Sequence, residues 1–188
     1  MRVPIEISAR HIHLKKTDLE LLFGKGYELK VLRDITQPGQ FACRETVTIK
    51  NGINEINNVR IIGPCRDYTQ VELSKTDAHN LSMDVPIKNS GEINDTPGIC
   101  ILGPKGRLII KNGVIIPERH LHISPDEAKK LNLRHLQLIS ISISGKRSLI
   151  FNNVVVNSRQ NIDKLSFQID PDEANAADVK NGDYGEIV

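Results

Sequence analysis

Arg10-His11-Ile12-His13-Leu14 returns further along the chain as Arg119-His120-Leu121-His122-Ile123. Each copy sets two imidazoles two residues apart among apolar neighbours. On a β-strand, side chains at i and i+2 share one face. Each His-x-His therefore predicts two nitrogen donors side by side, with Ile12 and Leu121 turned the other way into a core. That geometry supplies two corners of a tetrahedral zinc site. One such pair alone is no more than two strand histidines. Two copies, each preceded by Arg and together holding four of the six histidines in the chain, point to metal chemistry.

The residues just C-terminal to each pair extend the pattern. Thr17-Asp18-Leu19-Glu20 and Ser124-Pro125-Asp126-Glu127 read as helix N-caps with acidic first turns, the second with Pro at the first helical position. The same strand-then-helix unit recurs at Gln70-Val71-Glu72-Leu73-Ser74 and at Phe167-Gln168-Ile169-Asp170-Pro171. Aligned on the cap, Glu72 and Gln168 fall where His13 and His122 stand. The repeat thus nominates two candidate ligand sets: His11, His13 and Glu72, then His120, His122 and Gln168.

The rest of the chain reads as short strands with turn punctuation. Asn51-Gly52 predicts a hairpin between flanking strands, Asn112-Gly113 a second, and Ser144-Gly145-Lys146 a third. Evenly spaced short strands favour β-barrels over a parallel α/β sheet. The turn-rich stretch from Lys88 to Gly98 places the division into halves near residue 92, giving 1–92 and 93–188.

Composition narrows the function classes. Lys and Arg total 25 against 23 Asp and Glu, and aromatics make up 4% of the 188 residues. Such a chain has neither the basic field nor the stacking residues of a nucleic-acid binder. No apolar run reaches membrane-spanning length. Three widely spaced cysteines, odd in number, with no leader peptide at Met1-Arg2-Val3-Pro4, suit the reducing cytoplasm. Gly63-Pro64-Cys65-Arg66 leads into Glu72, so Arg66 comes within reach of whatever Glu72 binds. A guanidinium beside a metal suits an anion such as phosphate. Gln37-Pro38-Gly39 and Gly103-Pro104-Lys105-Gly106 read as turns, and His79 and His135 as surface or capping histidines.

Ser8-Ala9-Arg10-His11-Ile12-His13-Leu14 and Gln37-Pro38-Gly39-Gln40-Phe41-Ala42 resemble zinc-dependent phosphotransacylases of the propanediol-utilisation type, the phosphate propanoyltransferases. So do Gly63-Pro64-Cys65-Arg66, Thr69-Gln70-Val71-Glu72, Arg119-His120-Leu121-His122 and Asp172-Glu173-Ala174-Asn175-Ala176. The resemblance runs in order along nearly the whole chain. It implies a mainly β protein of two pseudo-symmetric β-barrel domains with short helices and a two-zinc active site between them. It implies reversible acyl transfer between coenzyme A and inorganic phosphate. One zinc would be held by His11, His13 and Glu72, and phosphate oriented by Arg66. The second zinc would be held by His120, His122 and a third histidine. Coenzyme A contacts are expected from the backbone of Ile7, Ser8 and Ala9, from Arg60, and from Asn175. The short lead before His11 suggests a free cytoplasmic enzyme rather than an encapsulated one, and a homo-oligomer is compatible with the pattern.

The third histidine is where this chain departs, because Gln168 stands in its place. An amide oxygen is a poorer zinc donor than imidazole. A weakened or lost second site would make the chain a non-catalytic zinc or coenzyme A binding protein. A zinc-dependent thioesterase or hydrolase that activates water is the other rival class. Gln168→His is expected to bind the second zinc more tightly than the parent chain in a competitive chelator titration; equal retention in both proteins would overturn this.

Overall fold

The computed structural model describes residues 1–188 and is built mainly of β-strands, with four helices of six to eight residues. Its contacts divide the chain into two compact units. One comprises Met1–Ala9, Thr36–Pro38 and Glu118–Val188; the other comprises Arg10–Ile35 and Gly39–Pro117. The turn-rich stretch 88–98 lies inside the second of these, which continues to Pro117. The N-terminal strand, Arg2–Ile7, belongs instead with the C-terminal residues.

In the C-terminal unit six strands close into a barrel in the order Arg2–Ile7, Ser166–Ile169, His120–His122, Leu149–Asn157, Leu138–Ile143, Tyr184–Ile187. Closure removes the free edges that a six-stranded sheet would otherwise expose. The barrel is filled by Val3, Ile5, Leu121, Ile141, Val154, Val156 and Phe167, all buried. Along Arg2–Ile7 and Leu138–Ile143 the buried positions alternate with less buried ones, as a one-sided strand pattern requires.

In the other unit the sheet stays open. Its order is Ile87–Lys88, Val114–Pro117, Gln70–Glu72, His11–His13, Asn54–Gly63, Phe41–Asn51, Ile99–Leu102, Arg107–Ile110, with Val31–Asp34 added beside Phe41–Asn51. Ile12, Leu14, Ile49, Ile61, Val71 and Ile101 form its core. The expected outcome of a mainly β fold with barrel closure is met, with complete closure in one unit.

Two of the three hairpins form as expected. Asn51 pairs with Asn54 across Gly52, whose φ of 58° suits a tight turn. Leu138–Ile143 pairs antiparallel with Leu149–Asn157 around Gly145. Asn112-Gly113 does not make the hairpin its dipeptide suggests. Arg107–Ile110 pairs with Ile99–Leu102 through the turn at Gly103–Gly106, and Val114–Pro117 runs parallel to Gln70–Glu72. The reason is local: the Gly113 N–H donates to Thr96 Oγ1 at 2.7 Å and its carbonyl accepts from Val71 N, which steers the chain to a different neighbour. A Cβ at Gly113 would lie 2.7 Å from the Thr69 carbonyl oxygen, so only glycine allows this approach.

Three helices carry capping boxes. Ser74, Ser124 and Asp170 each accept from the N3 backbone N–H, while Asp77, Glu127 and Glu173 reach back to the N-cap. The first helix corrects the expectation of a Thr17 cap. It spans Lys16–Phe23, its N-cap is Lys15, and no side chain caps it. Thr69 from the neighbouring segment braces this start instead, accepting from Lys15 N and donating to Asp18 Oδ2 at 2.6 Å.

Phe167 is fully buried and meets the Phe151 ring edge-on at 5.7 Å in the barrel interior. Phe167→Ala is expected to destabilise the barrel unit by about 3–5 kcal/mol. Denaturant unfolding followed by near-ultraviolet circular dichroism would check this, and an unchanged midpoint would contradict it.

Candidate metal and anion site

Strand pairing puts the repeat's ligand sets together. His11–His13 lies antiparallel to Gln70–Glu72 with His11 directly opposite Glu72. His120–His122 lies antiparallel to Ser166–Ile169 with His120 directly opposite Gln168. Ile12 and Leu121, between the histidines, are fully buried in their cores, as the alternation predicts.

In the first cluster, His11 Nε2 lies 3.2 Å from His13 Nε2, and 3.4 Å from Glu72 Oε2. His13 Nε2 is 3.9 Å from Glu72 Oε1. Nitrogens at about 2.0–2.1 Å from a tetrahedral zinc are about 3.3–3.4 Å apart, so these spacings fit one ion with little rearrangement. His13 donates its Nδ1 proton to the Ile62 carbonyl at 3.2 Å, which turns Nε2 toward the cluster. Burial, then the neighbouring His11 and Arg66 charges, hold His13 well below the usual imidazole range, so it is neutral and able to ligate. Burial pushes the Glu72 carboxyl up. The neighbouring His11 and His13 imidazoles, the Ser90 hydrogen bond and Arg66 outweigh it and bring the value down to about 2.

Arg66 stands beside this cluster. Its guanidinium donates to Tyr68 Oη at 3.3 Å, Ser90 Oγ at 3.2 Å and, at 3.5 Å, to Gln40 Oε1. All three partners are neutral, so the hydrogen bonds direct the cation without cancelling its charge. Arg66 is not paired with Asp67. Its backbone N–H donates to the Leu14 carbonyl, which ties it to the strand end after His13.

Ser90 links the two groups and was not visible to sequence reasoning. It donates to Glu72 Oε1 at 2.9 Å and accepts from Arg66 and from Gln70 Nε2. Gln70 Nε2 also donates to Glu72 Oε1 at 2.6 Å. Ser90 lies in the stretch whose composition suggests only a connection. Gln70, two residues before Glu72 on one strand face, had a usable signal in that spacing.

The second cluster has its own support. His120 Nε2 lies 3.0 Å from His122 Nε2 and 3.1 Å from Gln168 Oε1. His120 donates from Nδ1 to the Glu118 carbonyl at 2.7 Å. His122 donates from Nδ1 to Asp163 Oδ1 at 2.6 Å, and Arg159 forks onto the same carboxylate. Burial pushes Asp163 up, but the hydrogen bonds from His122 and Arg159 hold it well below the usual carboxylate range. An ionised carboxylate behind a histidine is the arrangement that orients an imidazole toward a metal. Asp163 and Arg159 were also missed, since they come from a turn far from either histidine in sequence.

The arginine before each His-x-His also finds a use. Arg10 pairs with Asp77 at 3.0 Å and Arg119 with Glu173 at 2.7 Å. Each acid is the N3 member of the capping box that succeeds the third-ligand strand. One side chain thereby closes a helix start and pins the register of the histidine strand.

The remaining candidates lie outside the two clusters. Ile7 N donates to Asn181 Oδ1 and Ser8 N to the Ile169 carbonyl, with Ala9 exposed beyond them. Arg60 lies opposite His11 in the parallel register and gives Nη1 to the carbonyls of Cys43 and Arg44. Asn175 is exposed on the helix Pro171–Ala177. Asp170 caps that helix rather than joining the cluster. Gln37 is scaffold, buried and bonded to Lys164 and Ser166. His79 and His135 are exposed, and His135 Nδ1 accepts from Ser158 N.

Strand-borne imidazole pairs, with Nδ1 anchored in His13, His120 and His122 and one pair beside a directed guanidinium, define a mainly β protein with candidate metal and anion sites. The family model of phosphate propanoyltransferase matches residues 4–180. The phosphate propanoyltransferase of Thermotoga maritima is 45% identical over 185 residues, covering 98% of this chain and 88% of that protein. That of Listeria monocytogenes is 42% identical over 186 residues, covering 99% and 87%. That of Salmonella typhimurium is 41% identical over 180 residues, covering 95% and 85%. This chain belongs to the phosphate propanoyltransferase family.

Asp163→Asn leaves an oxygen to accept from His122 but removes the charge behind it. It is expected to weaken metal binding at the His120–His122 cluster by about 10–100-fold in competitive titration, with the His11–His13 cluster unaffected. Undiminished affinity at both clusters would contradict the role given to Asp163.

Proposed function

We propose that this chain catalyses reversible transfer of a short acyl group between coenzyme A and inorganic phosphate, using zinc as its metal. The observation that carries this reading is the Arg66 guanidinium and the Glu72 carboxylate sharing Ser90, beside two imidazoles whose Nε2 atoms converge. His11, His13 and Glu72 would hold one zinc, and His120 and His122, with Gln168, a second. Bound there, zinc supplies a Lewis acid for the thioester carbonyl and a partner for the departing thiolate.

The chain's own residues have separable tasks. Arg66 receives hydrogenphosphate through its fork, and Tyr68, Ser90 and Gln40 keep that fork aimed. Held in line, a phosphate oxygen attacks the acyl carbon and the carbon–sulfur bond breaks. The products are acyl phosphate and coenzyme A, whose sulfur takes the proton that hydrogenphosphate gives up. Orientation of this kind is worth up to about 7–11 kcal/mol in the best intramolecular cases. Burial pushes the Cys65 thiol up, which makes it a poor nucleophile and favours direct transfer over an acyl-enzyme.

The proposed coenzyme A contacts are the backbone of Ile7, Ser8 and Ala9, the nitrogens of Arg60 beyond Nη1, and Asn175. Three free cysteines support a reducing setting such as the cytoplasm. No helix is long and apolar enough to cross a membrane.

The test is loss of the acetyl-CoA or propanoyl-CoA thioester with and without phosphate. Phosphate-dependent loss with acyl phosphate formed is expected. Phosphate-independent loss would indicate a hydrolase, and no loss with zinc bound a binding protein. Arg66→Ala should lower kcat/KM for phosphate by about 10²–10³-fold while zinc content stays unchanged. Chelator treatment should abolish turnover and zinc should restore it; a metal-free protein of full activity would sink the metal reading.

A further inference from the structure

The neutral amide at position 168 faces both ways, and its setting in the barrel decides which way. Gln168 Nε2 donates to Glu6 Oε2 at 2.9 Å. Glu6 lies beside Gln168 in the parallel register of Arg2–Ile7 with Ser166–Ile169, and its carboxylate can only accept. The amide NH2 is therefore committed to Glu6, and Oε1 is the end presented to His120 Nε2 at 3.1 Å. Both imidazoles already give their Nδ1 protons away, to the Glu118 carbonyl and to Asp163. Two imidazole Nε2 atoms and one amide oxygen thus converge, the kind of donor set a divalent cation takes.

We propose that Gln168 serves as the third ligand of a divalent zinc-type site with His120 and His122, and that Glu6 is the positioning residue that makes it one. This rests on the reading of His120 and His122 as metal ligands. Without Glu6, the amide can turn and donate its NH2 to the imidazole nitrogens. That hydrogen bond would satisfy the cluster and close it to the ion. With Glu6, the turned amide would set its oxygen against a carboxylate, so the ligating orientation is held. Donation to a carboxylate also polarises the amide and makes its oxygen a better donor. The two clusters then receive carboxylate charge differently. Glu72 gives it directly to the first, whereas in the second Glu6 acts through the amide as Asp163 acts through His122.

The experiment is a competitive titration of the full chain with Zn(II) against a chromophoric chelator, with the Co(II) absorption spectrum recorded in parallel. The parent is expected to bind two ions, one at each cluster. Glu6→Ala should weaken the second site by about 10–100-fold and alter its Co(II) spectrum, leaving the first site as an internal reference. Glu6→Gln, whose own carbonyl can accept the amide hydrogen bond, should lose less than Glu6→Ala. Gln168→Ala should weaken the second site, and adding Glu6→Ala to it should cost nothing more, because Glu6 acts only through the amide. The proposal is overturned if Glu6→Ala binds like the parent, if it weakens both sites alike, or if its effect persists in Gln168→Ala. A parent that binds one ion per chain also overturns it. Phosphate-dependent acyl transfer by that one-ion protein would leave the proposed reaction standing.

Discussion

Both clusters depend on the antiparallel pairing of one short histidine strand with one short strand carrying a single polar residue. His11 faces Glu72 and His120 faces Gln168 because each register is set once and then held. A slip of one residue would turn Ile12 or Leu121 to the polar face and bury the imidazoles in the core. Full burial of Ile12, Leu121, Val71 and Phe167 opposes that slip on every strand involved. The ion pairs Arg10–Asp77 and Arg119–Glu173 add a second lock just outside each pair. Hydrophobic burial sets the face and the capping-box acids set the position along it.

Around this common frame the two clusters differ in how charge is supplied. Glu72 is buried, yet it remains ionised because two imidazoles, Ser90 and Arg66 surround it. In the other cluster the position opposite the first histidine is neutral, and charge stands one step back, on Asp163 behind His122 and Glu6 behind Gln168. Arg66 adds a feature found in only one of the two. It is a cation directed by neutral oxygens, so its charge stays available to an anion.

The helix starts illustrate how local chemistry and tertiary context share the work. Ser74, Ser124 and Asp170 cap their own helices through side chains at fixed short spacing. Lys15 does not, and that start is braced by Thr69, which bonds Lys15 N and Asp18 from another segment. Gly113 makes the same point for turns. Its dipeptide favours a hairpin, but hydrogen bonds to Thr96 and Val71 send the next strand to a parallel neighbour.

Much was legible in the sequence wherever the determining relation was periodic and local. The i, i+2 spacing of the histidines, the buried Ile12 and Leu121, the capping boxes and the Asn51-Gly52 turn come from strand and helix geometry alone. So did Glu72 and Gln168 as third members, because an internal repeat carries position without coordinates. Tertiary structure alone decided what requires distant segments to meet. It brought Ser90 from a turn-rich stretch onto both Glu72 and Arg66, and Asp163 and Arg159 behind His122. It set Glu6 beside Gln168 through a parallel pairing of the chain's first strand with one near its end. It also decided that the first strand joins the C-terminal barrel and that only this sheet closes. Strand partners are chosen by long-range packing and loop closure, and neither leaves a mark in the spacing of neighbouring residues.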